Sequence, residues 1–261
     1  MIVMYYRGDS RMNKTLAETA MNGPLYREVR RRILDCLSRG EWKPGDVLPN
    51  ERELAERFGV AISTVRAGVG ELTATGVLVR RQGKGTFVAR HNAGPQQFRY
   101  SNVYDDAGTK LSTLRTVRSL QRVRADPPTI ERLQLQRERQ PHIYRIEATL
   151  TDGDRAVGVM ELILPAHLFP KAKREDFEQT GENLYTLYQR KWGVTVMRME
   201  EWVSARAADA KTARILKVPA AHPLMRLERV AYSFNDLPVE IRNRVYEGTA
   251  HRYLFKHDKL D

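Results

Sequence analysis

Between residues 24 and 90 the apolar positions recur first at helical and then at strand spacing. Leu25, Val29, Ile33 and Leu37, with Tyr26 and Leu34 beside them, form one stripe, as in a helix with one buried side. Arg27, Arg30, Arg31 and Arg32 fall largely on its other faces. Pro24 suits a first helical position, where the N–H it lacks would be unpaired anyway, and Gly40 marks the end. Pro44-Gly45-Asp46 reads as a turn and Val47-Leu48 as a strand stub. Asn50, with Glu53 three residues on, predicts a capped helix start, and Leu54, Ala55 and Phe58 supply that helix's apolar side. Gly59-Val60 turns the chain. Ser63-Thr64 opens a third helix whose Val65, Val69 and Leu72 face a core, and Gly76 closes it. Strands are expected over Val77–Arg81 and Thr86–Ala89, around Gln82-Gly83-Lys84-Gly85. Two helices across a tight turn followed by a basic hairpin is a winged helix-turn-helix, whose second helix can enter the major groove of DNA.

Beyond residue 97 the pattern mixes strand and helix. Ile130–Gln134 suits a short helix. Ile143–Leu150 and Ala156–Leu164 are strand-like and joined across Asp152-Gly153-Asp154. Leu184–Trp192 has helical spacing, with Asn183 as its cap. Met197–Ala205 alternates like a strand, and Ala207–Leu216 is helical and stops before Val218-Pro219. Leu224–Phe234 and Leu237–Tyr246 make another strand pair, turned at Asn235-Asp236. The expected fold is α+β, with a mainly antiparallel sheet behind the winged helix.

The 261 residues suit two domains: an amino-terminal extension over 1–22, a winged helix over 23–88, a linker over 89–97 and a second domain over 98–256. The formal charge of +12 favours a polyanionic partner, and the first 90 residues carry half of that excess. A single cysteine, Cys36, excludes an internal disulfide framework. The six histidines lack metal-ligand spacing, so neither a metal nor a cofactor is expected. No apolar run approaches a membrane span and no signal-peptide pattern precedes the first helix, so the expected location is the cytoplasm.

Candidate contacts to DNA follow from position. Ser63, Thr64 and Arg66 occupy the first turn of the reader helix, and Arg66 has the fork that fits a guanine edge or a phosphate. Arg52 begins the preceding helix, while Arg80, Arg81, Gln82 and Lys84 line the hairpin. Solvated arginines are ordinary one at a time; a set of them on one side of a helix-turn-helix points to DNA.

These residues resemble the GntR family of bacterial transcription regulators. Pro24-Leu25-Tyr26, P-G-D-V-L-P from 44, E-R-E-L-A from 51, Thr64-Val65-Arg66 and R-Q-G-K-G-T-F-V from 81 carry the likeness. The resemblance implies a homodimer on an inverted-repeat operator, with the wing glycine, Gly83, at the minor groove. Ala61-Ile62 stands where such proteins usually carry a polar residue and an arginine, and Gly68 and Gly70 interrupt the reader helix. From about residue 98 to 256 the chain resembles the UTRA effector domain of the HutC subfamily, which is related in fold to chorismate lyase. Here T-D-G from 151, L-F-P from 168, A-R-I-L-K-V-P from 213, P-V-E from 238 and V-Y-E-G from 245 carry it.

The second resemblance implies a small-molecule effector that modulates DNA binding. Matching positions put Glu240 and Tyr246 in its pocket, and six-residue spacing on a strand keeps both on one face. Relatives that bind sugar phosphates use an Arg-x-Arg pair on the first strand of the hairpin. Glu147 and Thr149 stand there, Arg145 is two residues earlier on the same face, and the usual glutamate of the second strand falls at Met160. Without that fork the expected effector is neutral or cationic rather than a simple sugar phosphate. The leading reading is an effector-controlled regulator, most often a repressor, and not an enzyme. An effector-independent DNA binder and a chorismate-lyase-like enzyme are the alternatives.

Overall fold

The computed structural model describes residues 24–89, 102–178 and 183–255. The expected extension over 1–22 lies outside them, as does the expected linker except for Ala89. The chain divides into two compact units, Met1–Ala89 and Arg90–Asp261.

In the first unit α1 (Leu25–Ser38) buries Val29, Ile33, Leu34, Cys36 and Leu37. Leu25 is 60% exposed, so the stripe begins one turn later than its spacing suggested. Pro24 is the N-cap of α1 rather than its first helical residue. Helix α2 (Glu51–Phe58) starts as read: the Asn50 Oδ1 accepts from the backbone N–H of Arg52 and Glu53, both at 3.0 Å, while the Glu53 carboxylate accepts from the Asn50 N–H at 2.9 Å. Gly59 then takes the left-handed conformation that ends the helix. Helix α3 (Ile62–Ala74) opens at Ile62, with Ala61 as an N-cap that offers no side-chain bond.

Gly68 has a packing reason to interrupt α3. A Cβ there would stand 2.9 Å from the Tyr26 carbonyl oxygen and 3.1 Å from Val29, so the missing side chain lets α1 and α3 touch. Gly70 has open space beside it. Strands β1 (Leu78–Arg81) and β2 (Gly85–Val88) form the antiparallel wing, and Val47 bridges to Phe87, bringing the predicted stub alongside β2.

The second unit is built on a six-stranded antiparallel sheet in the order β4-β5-β6-β9-β8-β7: β4 (Leu114–Arg124), β5 (His142–Asp152), β6 (Arg155–Pro165), β7 (Arg198–Ala207), β8 (Pro223–Tyr232) and β9 (Pro238–Glu247). Short strands β3 (Val103–Asp105) and β10 (His251–Tyr253) pair separately. The helices are α4 (Pro127–Arg132), α5 (Arg174–Phe177), α6 (Leu184–Trp192) and α7 (Ala210–Leu216). Ala207, expected to begin a helix, ends β7 instead. Strand β4 has no counterpart among the expected elements: Leu114–Ser119 alternate between exposed and covered positions, but only Val117 is fully buried, and a bulge follows it.

Alternation divides the sheet into two faces. Tyr144, Ile146, Ala148, Leu150, Met160, Leu162 and Leu164 point to one, where Tyr185, Leu187 and Tyr188 of α6 join them in the main core. This is the inner face. On the outer face Ile143, Ile163, Ile241 and Val230 pack with Leu133 and Leu135, while Val245 and Leu224 pack with Ala213 and Leu216 of α7.

Candidate functional site

On the first unit Ser63 and Arg66 are exposed and Thr64 is half-buried on the opening turn of α3. Arg80, Arg81, Gln82, Gly83 and Lys84 are exposed along the wing and its tip, and Arg52 projects from α2. Glu51, the first residue of α2, joins helix and wing. Its Oε2 accepts from the Arg66 Nε at 2.9 Å and its Oε1 from the Arg80 Nη2 at 3.1 Å. One carboxylate therefore holds a reader-helix guanidinium and a wing guanidinium on the same surface. Arg52 pairs within its own helix with Glu56 at 3.3 Å, and the Arg81 guanidinium lies 4.8 Å from the centre of the Phe87 ring. Such exposed pairs contribute little to stability, about 0–1 kcal/mol each. They restrict where the cations point while leaving them reachable by a phosphate.

The six effector candidates do not converge. In the register Ala148 stands opposite Met160, and Met160 opposite Arg244, so Met160, Glu240 and Tyr246 share the inner face. Arg145, Glu147 and Thr149 alternate to the outer one. Arg145 is bound there by Glu161 at 2.6 Å and Asp126 at 3.4 Å, so it does not stand in for an inner-face arginine. The Lys211 Nζ donates to both Glu147 oxygens at 2.8 and 3.0 Å. Glu147 lines an outer-face cavity of about 280 Å³ with Arg118, Val159, Lys211, Arg226 and Asn243. Strand β5 alternates without a break from Tyr144 to Thr151, so Glu147 and Thr149 keep the face of Arg145; the bulge of this hairpin lies on β6, where Val157 is the extra residue.

The inner face holds a charged network in which sequence reasoning found only the ends. Glu240 is fully buried and accepts from the Tyr188 hydroxyl at 2.8 Å, the Tyr185 hydroxyl at 3.2 Å and the Arg242 Nη2 at 2.6 Å. The Arg242 guanidinium also lies 5.1 Å from the centre of the Tyr185 ring. Glu201 of β7 accepts from the Arg229 Nε at 2.9 Å and the Arg244 Nη2 at 2.6 Å, and the Tyr253 hydroxyl donates to its second oxygen. Burial pushes the Glu201 carboxyl up, but Arg229 and Arg244 outweigh it and hold it below the ordinary carboxylate range. Burial together with the Glu240 charge raises the Tyr185 and Tyr188 phenols, and burial with Glu201 takes Tyr253 to about 12. Arg115, reaching in from β4, donates to the Phe177 carbonyl at 2.5 Å; burial and the nearby Arg242 pull it down to about 10, still charged at neutral pH.

Tyr246 completes this face, buried against Gly158 of β6. A Cβ on Gly158 would lie 2.7 Å from the Val245 carbonyl and 3.0 Å from the Tyr246 ring, so a larger residue there would displace the tyrosine. The missed members had a signal. Glu240, Arg242, Arg244 and Tyr246 are alternate residues of one strand, so assigning the first and last to the inner face also assigns the two between.

Residues 25–88 match the family model described as bacterial regulatory proteins, gntR family, and residues 110–252 match that of the UTRA domain. A "Probable fructoselysine utilization operon transcriptional repressor" from Shigella flexneri is 30% identical over 223 residues, 83% of this chain and 88% of its own length. The transcriptional repressor PhnF of Mycolicibacterium smegmatis is 30% identical over 224 residues, 86% of this chain and 89% of its own. The crystal structure of PhnF from Mycobacterium smegmatis superposes with a TM-score of 0.51 at 28% identity, covering 88% of this chain and all of that one. The ligand-binding domain of a GntR-family regulator from Bordetella bronchiseptica, at 22% identity, shares the fold with a TM-score of 0.57 over 61% of this chain and 98% of its own.

Proposed function

The chain belongs to the GntR family of bacterial transcription regulators, with a UTRA effector domain of the HutC-like type, and from that premise we propose how its two units divide the work. It is a DNA-binding transcriptional regulator whose relatives are repressors, and regulation rather than catalysis is its role. Helix α3 enters the major groove with Ser63, Thr64 and Arg66 leading. Arg52 meets the adjoining backbone, and Arg80, Arg81, Gln82, Gly83 and Lys84 take the wing to the minor groove. A homodimer presents two such surfaces to an inverted repeat in the cytoplasm. The effector binds the inner face of the sheet beside Glu240 and Tyr246 and acts on DNA affinity through its preference for one of two geometries.

The observation that carries the DNA assignment is the shared carboxylate of Glu51, which places a reader-helix cation and a wing cation side by side. Fluorescence anisotropy with a fragment from the gene's own upstream region tests it. Binding should weaken steeply with salt, as phosphate contacts release counterions. Arg66→Ala should weaken it about tenfold or more. Salt-independent binding, or full binding by Arg66→Ala, would refute the assignment.

A further inference from the structure

The uncovered side of α3 holds more carbon than polar groups. The helix buries Val65, Gly68, Val69 and Leu72, which leaves Ile62, Ser63, Arg66, Ala67 and Gly70 together on its other side at helical spacing. Of these only Ser63 and Arg66 carry a hydrogen-bonding side chain. Ile62 is 42% exposed, one helical turn before Arg66, and Ala61 next to it is exposed too. A single exposed isoleucine is ordinary on a protein surface, but this one stands beside cations. Arg66 lies on its own face of the helix, and the Glu51 carboxylate joins Arg66 to Arg80 of the wing. The helix itself requires neither apolar residue. Ala61 is the N-cap and makes no side-chain bond there, and alanine is among the poorest residues for that position. Ile62 is not among the residues that α3 buries.

We propose that Ile62, with Ala61 beside it, selects thymine in the operator by packing on the C5 methyl group of that base. This rests on the DNA reading above, in which α3 enters the major groove. Of the groups that base pairs present there, the thymine methyl is the apolar one, and the others are donors and acceptors. An aliphatic side chain set against a guanine, cytosine or adenine edge strips water from polar atoms and gives them no partner, which is costly. Set against the thymine methyl, it covers apolar surface on both molecules. Ile62 therefore discriminates twice, by the contact that it makes with one base and by the hydration that it removes from the rest. Arg66, one turn further along the same face, keeps its fork for a guanine edge or a phosphate.

Uracil in place of thymine tests this, because it removes the methyl group and nothing else. Selection from a random duplex library with the full-length protein yields a preferred sequence, whose thymines are then replaced one at a time and the affinities read by fluorescence anisotropy. At the thymine that Ile62 meets, uracil should weaken binding about fourfold, the factor that burying one methyl carbon supplies. Ile62→Ala should weaken binding to the thymine duplex by a similar factor and remove most of the uracil penalty. Its thermal unfolding should be unchanged, since the side chain is exposed. Arg66→Ala should weaken binding to both duplexes and keep the penalty. Binding that is indifferent to every uracil overturns the proposal, as does a penalty that Ile62→Ala leaves intact or that Arg66→Ala removes equally. In each of those cases the protein still selects a sequence, so the DNA reading stands. A library from which no sequence is enriched overturns the DNA reading, and the thymine contact falls with it.

Discussion

In residues 24–89 the side chains of Arg52, Arg66 and Arg80 are 81, 63 and 49% exposed and are paired loosely, two of them on one carboxylate. In residues 102–255 those of Arg229, Arg242 and Arg244 are 1, 10 and 5% exposed, and their pairs lie inside the fold. On the roles proposed for the two surfaces, the contrast follows from what each has to meet. A polyanion reaches a cation only if that cation is at the surface, and exchanging one weak exposed pair for a phosphate is nearly free. A small ligand is better held where water is excluded and each charge interaction is stronger. The same residue type is therefore dispensable to folding in one unit and part of folding in the other.

The largest test of that contrast removes a buried charge. Glu240→Gln leaves Arg242 facing two phenols and an amide, and breaking one side of a buried pair costs about 3–5 kcal/mol. Denaturant unfolding should show a loss of that order confined to the second unit. A loss below about 1 kcal/mol would mean that water reaches the network and that the two units do not differ in kind. Arg66→Ala should do the reverse, with unfolding changed by less than about 1 kcal/mol and DNA affinity reduced by about 1–3 kcal/mol. Anisotropy and calorimetry on one preparation check both halves.

A smaller effect separates the two glycines of α3. Alanine is the better helix former by about 1 kcal/mol, so Gly70→Ala, with open space beside it, should stabilise the first unit by about 0.5–1 kcal/mol. Gly68→Ala drives a methyl group onto the Tyr26 carbonyl and Val29. It should destabilise by about 1–3 kcal/mol through overpacking, less the helix gain. Equal and favourable effects at both positions would show that α1 and α3 are not in close contact.

Legibility in the sequence follows the same division. The winged helix could be read because its signals are local: the Asn50–Glu53 capping box, the Gly59 turn and a basic hairpin tip. Helix α6 came out as Leu184–Trp192 because Asn183 caps it and Gly193 ends it in the left-handed conformation. Strand β4 escaped because its covered positions Arg115 and Ser119 are polar and a bulge follows Val117, so its apolar residues show no two-residue period. The inner face of the sheet was only half legible. Arginines on a strand read as surface residues, since charge is rarely buried, so Arg242 and Arg244 are easily passed over although alternation between Glu240 and Tyr246 puts them on the same face. Alternation keeps Glu147 and Thr149 with Arg145, and only the pairing of β5 with β6 and of β6 with β9 puts those three opposite the face of Met160, Glu240 and Tyr246.

The finest test concerns Glu51, the counterpart in the first unit of Glu240 in the second. Each carboxylate positions arginine, but the Glu51 side chain is 30% exposed and the pairs it makes are wet. Glu51→Gln should therefore change unfolding by less than about 1 kcal/mol. Its effect on DNA should be modest and of two signs. Losing a carboxylate that competes with phosphate for Arg66 and Arg80 strengthens binding to any duplex by a few-fold. Losing the contact that aims both guanidiniums lowers the preference for the operator over unrelated sequence. Affinities for both duplexes at one salt concentration give that ratio directly. If the ratio holds while both affinities rise, Glu51 only repels the backbone, and the geometry that it shares between helix and wing has no part in reading sequence.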